Sequence, residues 1–216
     1  MGLFSSFFKK SEEDQALEDA LKKLYRILED EDFQLELADP ALQSAIKQGV
    51  SVDQLPNGNG GFGRHWENPI PVNGPIGELA YLSRLEFLGQ RFIFHRLGSI
   101  NRVDVFEAVT FKNNDWRFFC LDFYHPRRSR LAPDNHDFTK EVPQFTGFTA
   151  KCPDFPYDFP KAKAAQRASG LSIAYIPLSL IMPQLERRSF NPPPLHIEAR
   201  LMLSQLFSSH APSAYL

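Results

Sequence analysis

A short arginine-rich segment near the middle of the chain carries the side chains best suited to hold an anion. It places three guanidiniums and one imidazole within six residues, in the run Tyr124-His125-Pro126-Arg127-Arg128-Ser129-Arg130. Guanidiniums bind carboxylate or phosphate through parallel N–H donors. We therefore predict an anion-binding site formed by Arg127, Arg128, Arg130 and Arg96. The alternative is that these arginines pair with the acidic N-terminal helices or point into water.

Two carboxylates lie on the strands that lead into this segment. If the chain reverses at Asn113-Asn114 in a two-residue turn, the numbers of facing residues sum to 227, so that Glu107 faces Cys120 and lies diagonal to Asp122. Carboxylates about 7 to 8 Å apart can share work as acid and base. Glu107, Asp122 and His125 are thus candidate catalytic residues. The alternative is that the two carboxylates are buried and each satisfies an arginine.

The sequence predicts neither a cofactor nor a metal ion. Gly58, Gly60 and Gly63 fit the pattern G-x-G-x-x-G, but a dinucleotide site needs a buried strand before the glycines and a helix after them. Neither is indicated here. The six histidines show no ligand spacing, and a solvated turn explains the polar cluster at 134–137.

Composition and charge narrow the classes of function. The chain has 216 residues, and its two cysteines lack the spacing of a disulfide framework, which favours a reducing, cytoplasmic compartment. Residues 1–40 hold five basic and eleven acidic side chains, a net −6, so the total of −2 leaves +4 for the remainder. A pI near 6.3 argues against a nucleic-acid partner. No apolar run is long enough to span a bilayer.

The first ten residues form a separate amphipathic segment. A helix here would place Leu3, Phe4, Phe7 and Phe8 on one side. Such a segment can lie at a membrane surface and give weak peripheral contact. We favour the alternative, a frayed terminus or a short helix docked on the core.

A glycine- and proline-rich segment at 56–77 interrupts regular structure, with six glycines and four prolines in 22 residues. Irregular segments of this length in a compact domain are usually functional or act as linkers. The aromatic residues of this segment indicate that it packs against another surface. We predict that Phe62, Arg64 and Trp66 form a surface that binds a partner.

Apolar periodicity and turn residues predict the elements that position these groups. Helices are expected at 11–29, from the Asp39 cap to Gly49, and at 78–88, and a last helix has Leu195, Ala199, Met202, Leu203 and Leu206 on one side. Strands are expected at 91–97, ending in a turn at Gly98-Ser99, in the hairpin 102–125, and at 145–150 and 171–176.

These elements predict an α+β fold in which helices flank a short antiparallel sheet, built on the central hairpin 102–125, with an N-terminal helical pair. Both faces of the hairpin are largely apolar, so it should be covered on both sides. We expect an N-terminal helical segment at 1–55, the loop at 56–77 and a main domain at 78–216.

Two functions from different classes fit these residues. The first is a non-enzymatic binding or accessory protein that engages a protein or an anionic partner through the arginine-rich segment and the 56–77 loop. The absence of known catalytic motifs favours it. The second is a hydrolase or transferase acting on an anionic small molecule, with Glu107, Asp122 or His125 as acid or base.

Overall fold

The computed structural model describes residues 12–112, 114–140, 145–159 and 189–209. The helices within these residues are α1 (Glu12–Glu29), α2 (Glu31–Glu36), α3 (Pro40–Lys47), α4 (Gly74–Arg84) and α5 (Pro194–Ser209). The strands are β1 (Ile70–Pro71), β2 (Leu85–Phe87), β3 (Gln90–Ile100), β4 (Val103–Thr110), β5 (Trp116–Asp122), β6 (His136–Phe138) and β7 (Gly147–Phe148).

The sheet is larger than the sequence predicts, although the α+β class is confirmed. Seven strands form one curled, mixed sheet in the order β1-β5-β4-β3-β2-β6, with β7 paired to β3 beside that path. Strand β1 runs parallel to β5 and β7 runs parallel to β3, while the other pairs are antiparallel. The prediction of a short antiparallel sheet is therefore wrong. The extra strands are only two or three residues long, too short to show alternation.

The central hairpin exists, but its turn differs from the predicted one. Backbone pairs from Val103↔Asp122 to Val109↔Trp116 sum to 225 rather than 227, and the Thr110 amide donates to the Asp115 carbonyl. The loop is therefore four residues long. A shift of two residues preserves the face of every side chain because strands have a period of two. It does change the partners, so Glu107 faces Phe118 instead of Cys120.

The helix predicted at 78–88 is displaced towards the N-terminus. Helix α4 begins at Gly74, inside the segment predicted to lack structure, and ends at Arg84. Leu85 and Phe87 then belong to β2, which pairs with β6. Leu88, 74% exposed, and Gly89 form a tight turn with φ of 51° and 68°. The leucine spacing continues past the helix end, which is why periodicity alone misplaces it.

Strand β3 is longer than predicted because Gly98 and Ser99 do not form a turn. Between Arg96 and Gly98 the register shifts by one residue, which is a β-bulge, and the strand continues to Ile100. The reversal occurs at Asn101-Arg102, where Asn101 has a φ of 56°. Asparagine tolerates this left-handed conformation better than other non-glycine residues.

From residue 12 onward, the described part of the N-terminal region contains three helices rather than the predicted pair. The Asp30 side chain accepts from the Phe33 amide and so caps the additional helix α2. The predicted Asp39 cap is confirmed, since its carboxylate accepts from the amides of Ala41 and Leu42. Leu24, Ile27 and Leu28 of α1 join the main core together with sheet residues.

Both faces of the hairpin are covered, as predicted. The main core includes Phe92, Phe94, Phe106 and Phe119 of the sheet and Leu79 and Leu82 of α4. A second cluster on the sheet joins Ile100, Val103, Val105 and Cys120 to Trp66, Leu203, Leu206 and Phe207. The 56–77 segment and helix α5 thus supply part of the cover.

Helix α5 forms as predicted, but only part of its predicted apolar side faces the sheet. Leu195 and Met202 are 78% and 65% exposed. The predicted strand at 171–176 and the segment 1–10 lie outside the described residues. Within the described residues, no helix is long and apolar enough to cross a membrane.

Candidate functional site

The arginine-rich segment forms a strap at residues 125–130, directly after β5. Strand β1 positions it, because the His125 amide donates to the Val72 carbonyl at 3.2 Å and the Ser129 amide donates to the Pro71 carbonyl at 2.8 Å. These two bonds hold the strap against Pro71 and Val72. It lies beside the N-terminal helices.

Two arginines of the strap bind carboxylates of the chain itself. Arg127 donates to the Asp53 carboxylate at 2.6 Å and to the Ser51 hydroxyl at 2.9 Å. Arg128 donates to the Glu31 carboxylate at 3.2 Å and to the Leu28 carbonyl at 2.6 Å. Pairing with the acidic N-terminal helices was the alternative to anion binding, and Arg128 does this: it fastens α1 and α2 to the end of the sheet. Arg127 instead pairs with Asp53, in the loop that follows α3.

A cleft of about 640 Å³ opens between the strap, α4 and the junction of α1 with α2. Arg84 lines it and donates to Glu29 at 2.8 Å, while its side chain remains 32% exposed. Arg130 also lines it and is exposed, and its guanidinium makes no hydrogen bond or ion pair with any residue that the structure describes. Arg84 and Arg130 are the most exposed cations among the described residues that line the cleft.

The remaining walls of the cleft are acidic and aromatic. Four consecutive acidic residues, at 29–32, line one side. Tyr81 and Phe138 meet edge to face, with ring centroids 5.3 Å apart, and form an apolar wall. The Tyr81 hydroxyl donates to the Leu131 carbonyl at 2.6 Å, and burial raises the pKa of this phenol. The cleft can therefore hold a small group that carries negative charge beside an apolar surface.

Glu107 lies in a buried network on the other side of the sheet. Its carboxylate accepts from His95 at 2.9 Å and from His196 at 2.8 Å, and Arg200 lies 3.5 Å away. Burial raises the pKa of Glu107, but the two imidazole donors and the Arg200 charge outweigh it and bring the pKa to about 2. The network joins β3, β4 and α5.

The hydrogen bonds also determine the tautomer of His95. The Cys152 amide donates to Nδ1 at 2.9 Å, so Nδ1 carries no proton and the Nε2–H donates to Glu107. Burial lowers the pKa of His95, which keeps the ring neutral despite its carboxylate partner. Phe155 stacks on the ring at 4.2 Å. Each polar atom of this imidazole therefore has a fixed partner.

Asp122 and His125 form a second, separate pair. His125 Nε2 lies 3.4 Å from the Asp122 carboxylate, and Nδ1 donates to the Val50 carbonyl at 2.7 Å. Burial lowers the pKa of His125, but these two acceptors outweigh it and raise the pKa above 6.5. In register Asp122 faces Val103, four residues from Glu107 on β4, which corresponds to about 13 Å. The structure brings His125 to Asp122 but brings neither to Glu107.

Arg96 belongs to a third cluster, away from the strap. Its guanidinium lies 2.8 Å from the Asp104 carboxylate and also contacts the Ser99 hydroxyl. Glu78 of α4 is fully buried against this cluster, and neither of its oxygens has a hydrogen bond of normal geometry. Burial, followed by the Asp104 charge, raises the pKa of Glu78 well above 4.5. Glu78 and Asp104 thus form a buried pair of carboxyl groups, and the raised pKa of Glu78 favours its protonated form.

The predicted partner-binding residues Phe62, Arg64 and Trp66 mainly cover the sheet. Phe62 is half-buried against the main core, and Trp66 packs on the second cluster. Arg64 is exposed. The Cys120 amide donates to the Gly63 carbonyl at 2.9 Å, so the loop also satisfies the edge of β5.

Sequence reasoning missed His95, Glu78 and Arg84. His95 pairs directly opposite Glu107, but the reversal at Asn101-Arg102 alone would place Arg96 there; the bulge between Arg96 and Gly98 shifts the register by one residue and brings His95 to Glu107. Glu78 sits in a helix whose leucines give the only pattern, so nothing in the sequence distinguishes it from a solvated residue.

Comparisons with protein-family models, curated proteins and solved structures gave no significant match.

Proposed function

We propose that the chain is a non-enzymatic binding or accessory protein that takes an anionic group of its partner into the cleft beside Arg84 and Arg130. The observation that carries this proposal is the exposed guanidinium of Arg130, which has no hydrogen bond or ion pair with a described residue, at a cleft of about 640 Å³. A guanidinium with free donors at a concave surface suits carboxylate or phosphate.

Binding is favoured over catalysis because three of the four carboxylates at the cleft are engaged by other groups of the chain: Glu29 by Arg84, Asp30 by the Phe33 amide and Glu31 by Arg128. No histidine or cysteine is among the described residues that line it. Ser129 lines it, but its hydroxyl donates to the Asp53 carbonyl at 2.6 Å and accepts from the Leu131 amide. A hydrolase or transferase would need Glu107, Asp122 or His125 at the substrate, and none of these lines the cleft.

The walls restrict which anions fit. The carboxylates at 29–32 would repel a polyanion, so a single anionic group is favoured. Tyr81 and Phe138 offer an apolar surface next to it, which suits an aromatic or aliphatic carboxylate or phosphate monoester. A small metabolite or the side chain of a protein partner could present such a group.

The test uses phenyl phosphate and phenylacetate as probes, followed by NMR titration of the backbone amides in the full chain. We expect shift changes for residues of the strap and of α4, weakened by added salt. The variant with Arg84→Gln and Arg130→Gln should lose at least about tenfold in affinity, because charge-assisted bonds contribute about 1.5 to 3 kcal/mol.

A matched control removes one arginine outside the cleft. Arg102 lies over the Tyr124 ring at 4.3 Å and does not line the cleft. Arg102→Gln should therefore leave the affinity unchanged. Equal binding by wild type and the double variant, or no binding of either probe, would overturn the proposal.

A further inference from the structure

A second group of basic side chains, Arg64, Arg117 and His136, lies around two aromatic rings of the sheet. Phe87 pairs directly opposite His136, and their ring centroids are 5.3 Å apart. The Phe119 ring meets the His136 ring edge to face at 5.5 Å. We propose that the three basic side chains bind an oxyanion that also carries a hydroxyl hydrogen, such as hydrogen phosphate. None of the three lines the cleft, so this inference does not depend on the function proposed above.

Each arginine lies over one of the two rings that contact His136. The Cζ atom of Arg117 is 4.5 Å from the Phe87 centroid, and that of Arg64 is 5.9 Å from the Phe119 centroid. Two guanidiniums are therefore held near one imidazole. Burial lowers the pKa of His136, and the charges of the two arginines lower it further, so the ring is neutral at pH 8. An anion between the guanidiniums would relieve their mutual repulsion.

The tautomer of His136 determines what the anion must offer. Nδ1 donates to the Asp134 carbonyl at 2.8 Å, so Nε2 of the neutral ring carries a lone pair. The side chain is only 7% exposed, and Nε2 has no hydrogen-bond partner among the described residues. A buried acceptor without a partner is unfavourable, and a ligand that donates an O–H group to it removes that cost. An oxyanion without hydrogen would be repelled by the lone pair.

The guanidiniums retain donors for the charged part of the ligand. Arg64 is exposed and makes no hydrogen bond or ion pair with any residue that the structure describes. Nη1 of Arg117 donates to the carbonyl of the preceding residue at 2.8 Å, but its Nε has no hydrogen-bond partner in the described part of the chain. Asp115, 3.8 Å from Arg117, and Asp134 offset the two positive charges only in part.

Access to the imidazole requires a small rearrangement. Nε2 of His136 is covered, so an oxyanion must displace a side chain to reach it. Arg64 can make room, because it is exposed and no described partner holds its guanidinium. The same guanidinium can then close over the bound anion from the solvent side.

The proposed contacts distinguish two anions of the same shape. Hydrogen phosphate and sulfate are both tetrahedral dianions at pH 8, but only hydrogen phosphate carries an O–H group. A site built around a hydroxyl donor rejects the analogue that lacks it, because a buried group of the site is then left unpaired. A simple patch of arginines would bind the two anions equally. Selectivity for phosphate over sulfate is therefore the property that identifies the proposed site.

The test is an NMR titration of the full chain with inorganic phosphate and with sulfate, at pH 8 and constant ionic strength. Binding is read from the imidazole nitrogen signals of His136 and from the backbone amides of Arg117 and Phe119. We expect phosphate to shift the Nε2 signal and to bind at least about tenfold more tightly than sulfate, as a hydrogen bond to a charged group provides.

Three variants assign the roles. His136→Phe keeps an aromatic ring between Phe87 and Phe119 and should abolish the preference for phosphate. Arg64→Gln changes an exposed side chain and should weaken both anions by at least about tenfold. Arg102→Gln is the matched control, because Arg102 lies over the Tyr124 ring, and it should change neither affinity.

Four results would contradict this inference. Equal affinity for the two anions would indicate an unselective arginine patch. A preference for phosphate that survives His136→Phe would place the hydroxyl acceptor elsewhere. Unchanged His136 signals in both titrations would mean that the imidazole serves only packing. Shift changes confined to the strap and α4 would assign phosphate to the cleft alone, which would support the function proposed above while removing this second site.

Discussion

Replacing Glu78 with glutamine should stabilise the protein, and the gain should grow as the pH rises. Glu78 is fully buried beside the Asp104 carboxylate, with Arg96 as a partial compensation. Its pKa is raised well above 4.5, so it holds a proton in the folded state at pH values where the unfolded chain has released it. Folding must therefore take up a proton, and this becomes less favourable at higher pH.

The magnitude follows from this proton uptake. The contribution of Glu78 to stability is complete below its ordinary pKa of 4.5 and declines by about 1.4 kcal/mol for each pH unit above it. The decline ends where Glu78 ionises in the folded protein. Glutamine has nearly the same shape, does not ionise and can donate to Asp104. The variant should thus gain on the wild type by about 1.4 kcal/mol for each pH unit in this window.

The assay is urea unfolding followed by circular dichroism at several pH values between 5 and 8 for both proteins. Histidines such as His95 and His125 titrate in both proteins, so their effects cancel in the difference. Glu36→Gln, at an exposed position on α2, serves as the control for replacing a carboxylate with an amide. A constant difference between wild type and Glu78→Gln would refute the reasoning, as would a wild type that becomes the more stable protein at pH 8.

Three further predictions concern the other buried groups. Glu107→Ala should cost about 3 kcal/mol at pH 7, because it leaves two buried imidazoles without their acceptor. The stability difference between wild type and Glu107→Ala should shrink as the pH falls from 4.5 towards 2, since the folded pKa of Glu107 is lowered to about 2. A difference in urea unfolding that stays constant over this pH range would contradict the prediction. Arg128→Met should cost about 2 kcal/mol and raise amide exchange in α1 and α2, with Arg128→Lys intermediate. Burial raises the pKa of Cys120 and Cys152 to about 12, so both thiols should react with a disulfide reagent at pH 8 far more slowly in the folded protein than in urea.

The parts of the fold that follow from periodicity could be predicted from the sequence. The Asp39-Pro40 start of α3 and the two-sided apolar pattern of the central hairpin are local signals, and both are present in the structure. The helix predicted at 78–88 ends early because Leu85, which continues the helical spacing of the leucines, is the first residue of strand β2. Leu85 is in a strand because β2 pairs with β6, about fifty residues later in the chain. No local sequence pattern indicates this pairing.

The candidate site was harder to predict because its contacts join distant residues. The arginines of the strap could be recognised as a cluster, but whether they face solvent or Glu31 depends on how the N-terminal helices dock. Glu107 could be recognised as a buried carboxylate, yet its partners come from β3 and α5. Because the predicted register of the hairpin was wrong by two residues, each side chain was assigned to the correct face of the sheet but to the wrong cross-strand partner.

The bond between Arg128 and Glu31 spans 97 residues of sequence. During synthesis helices α1 and α2 leave the ribosome before the strap is made, so Arg128 cannot yet bind Glu31. Closing a loop of this length is slow compared with helix formation. A nascent polypeptide that stops before residue 128 would therefore lack the bonds by which Arg128 holds the acidic helices, and it would hold α1 and α2 less firmly than the finished protein does.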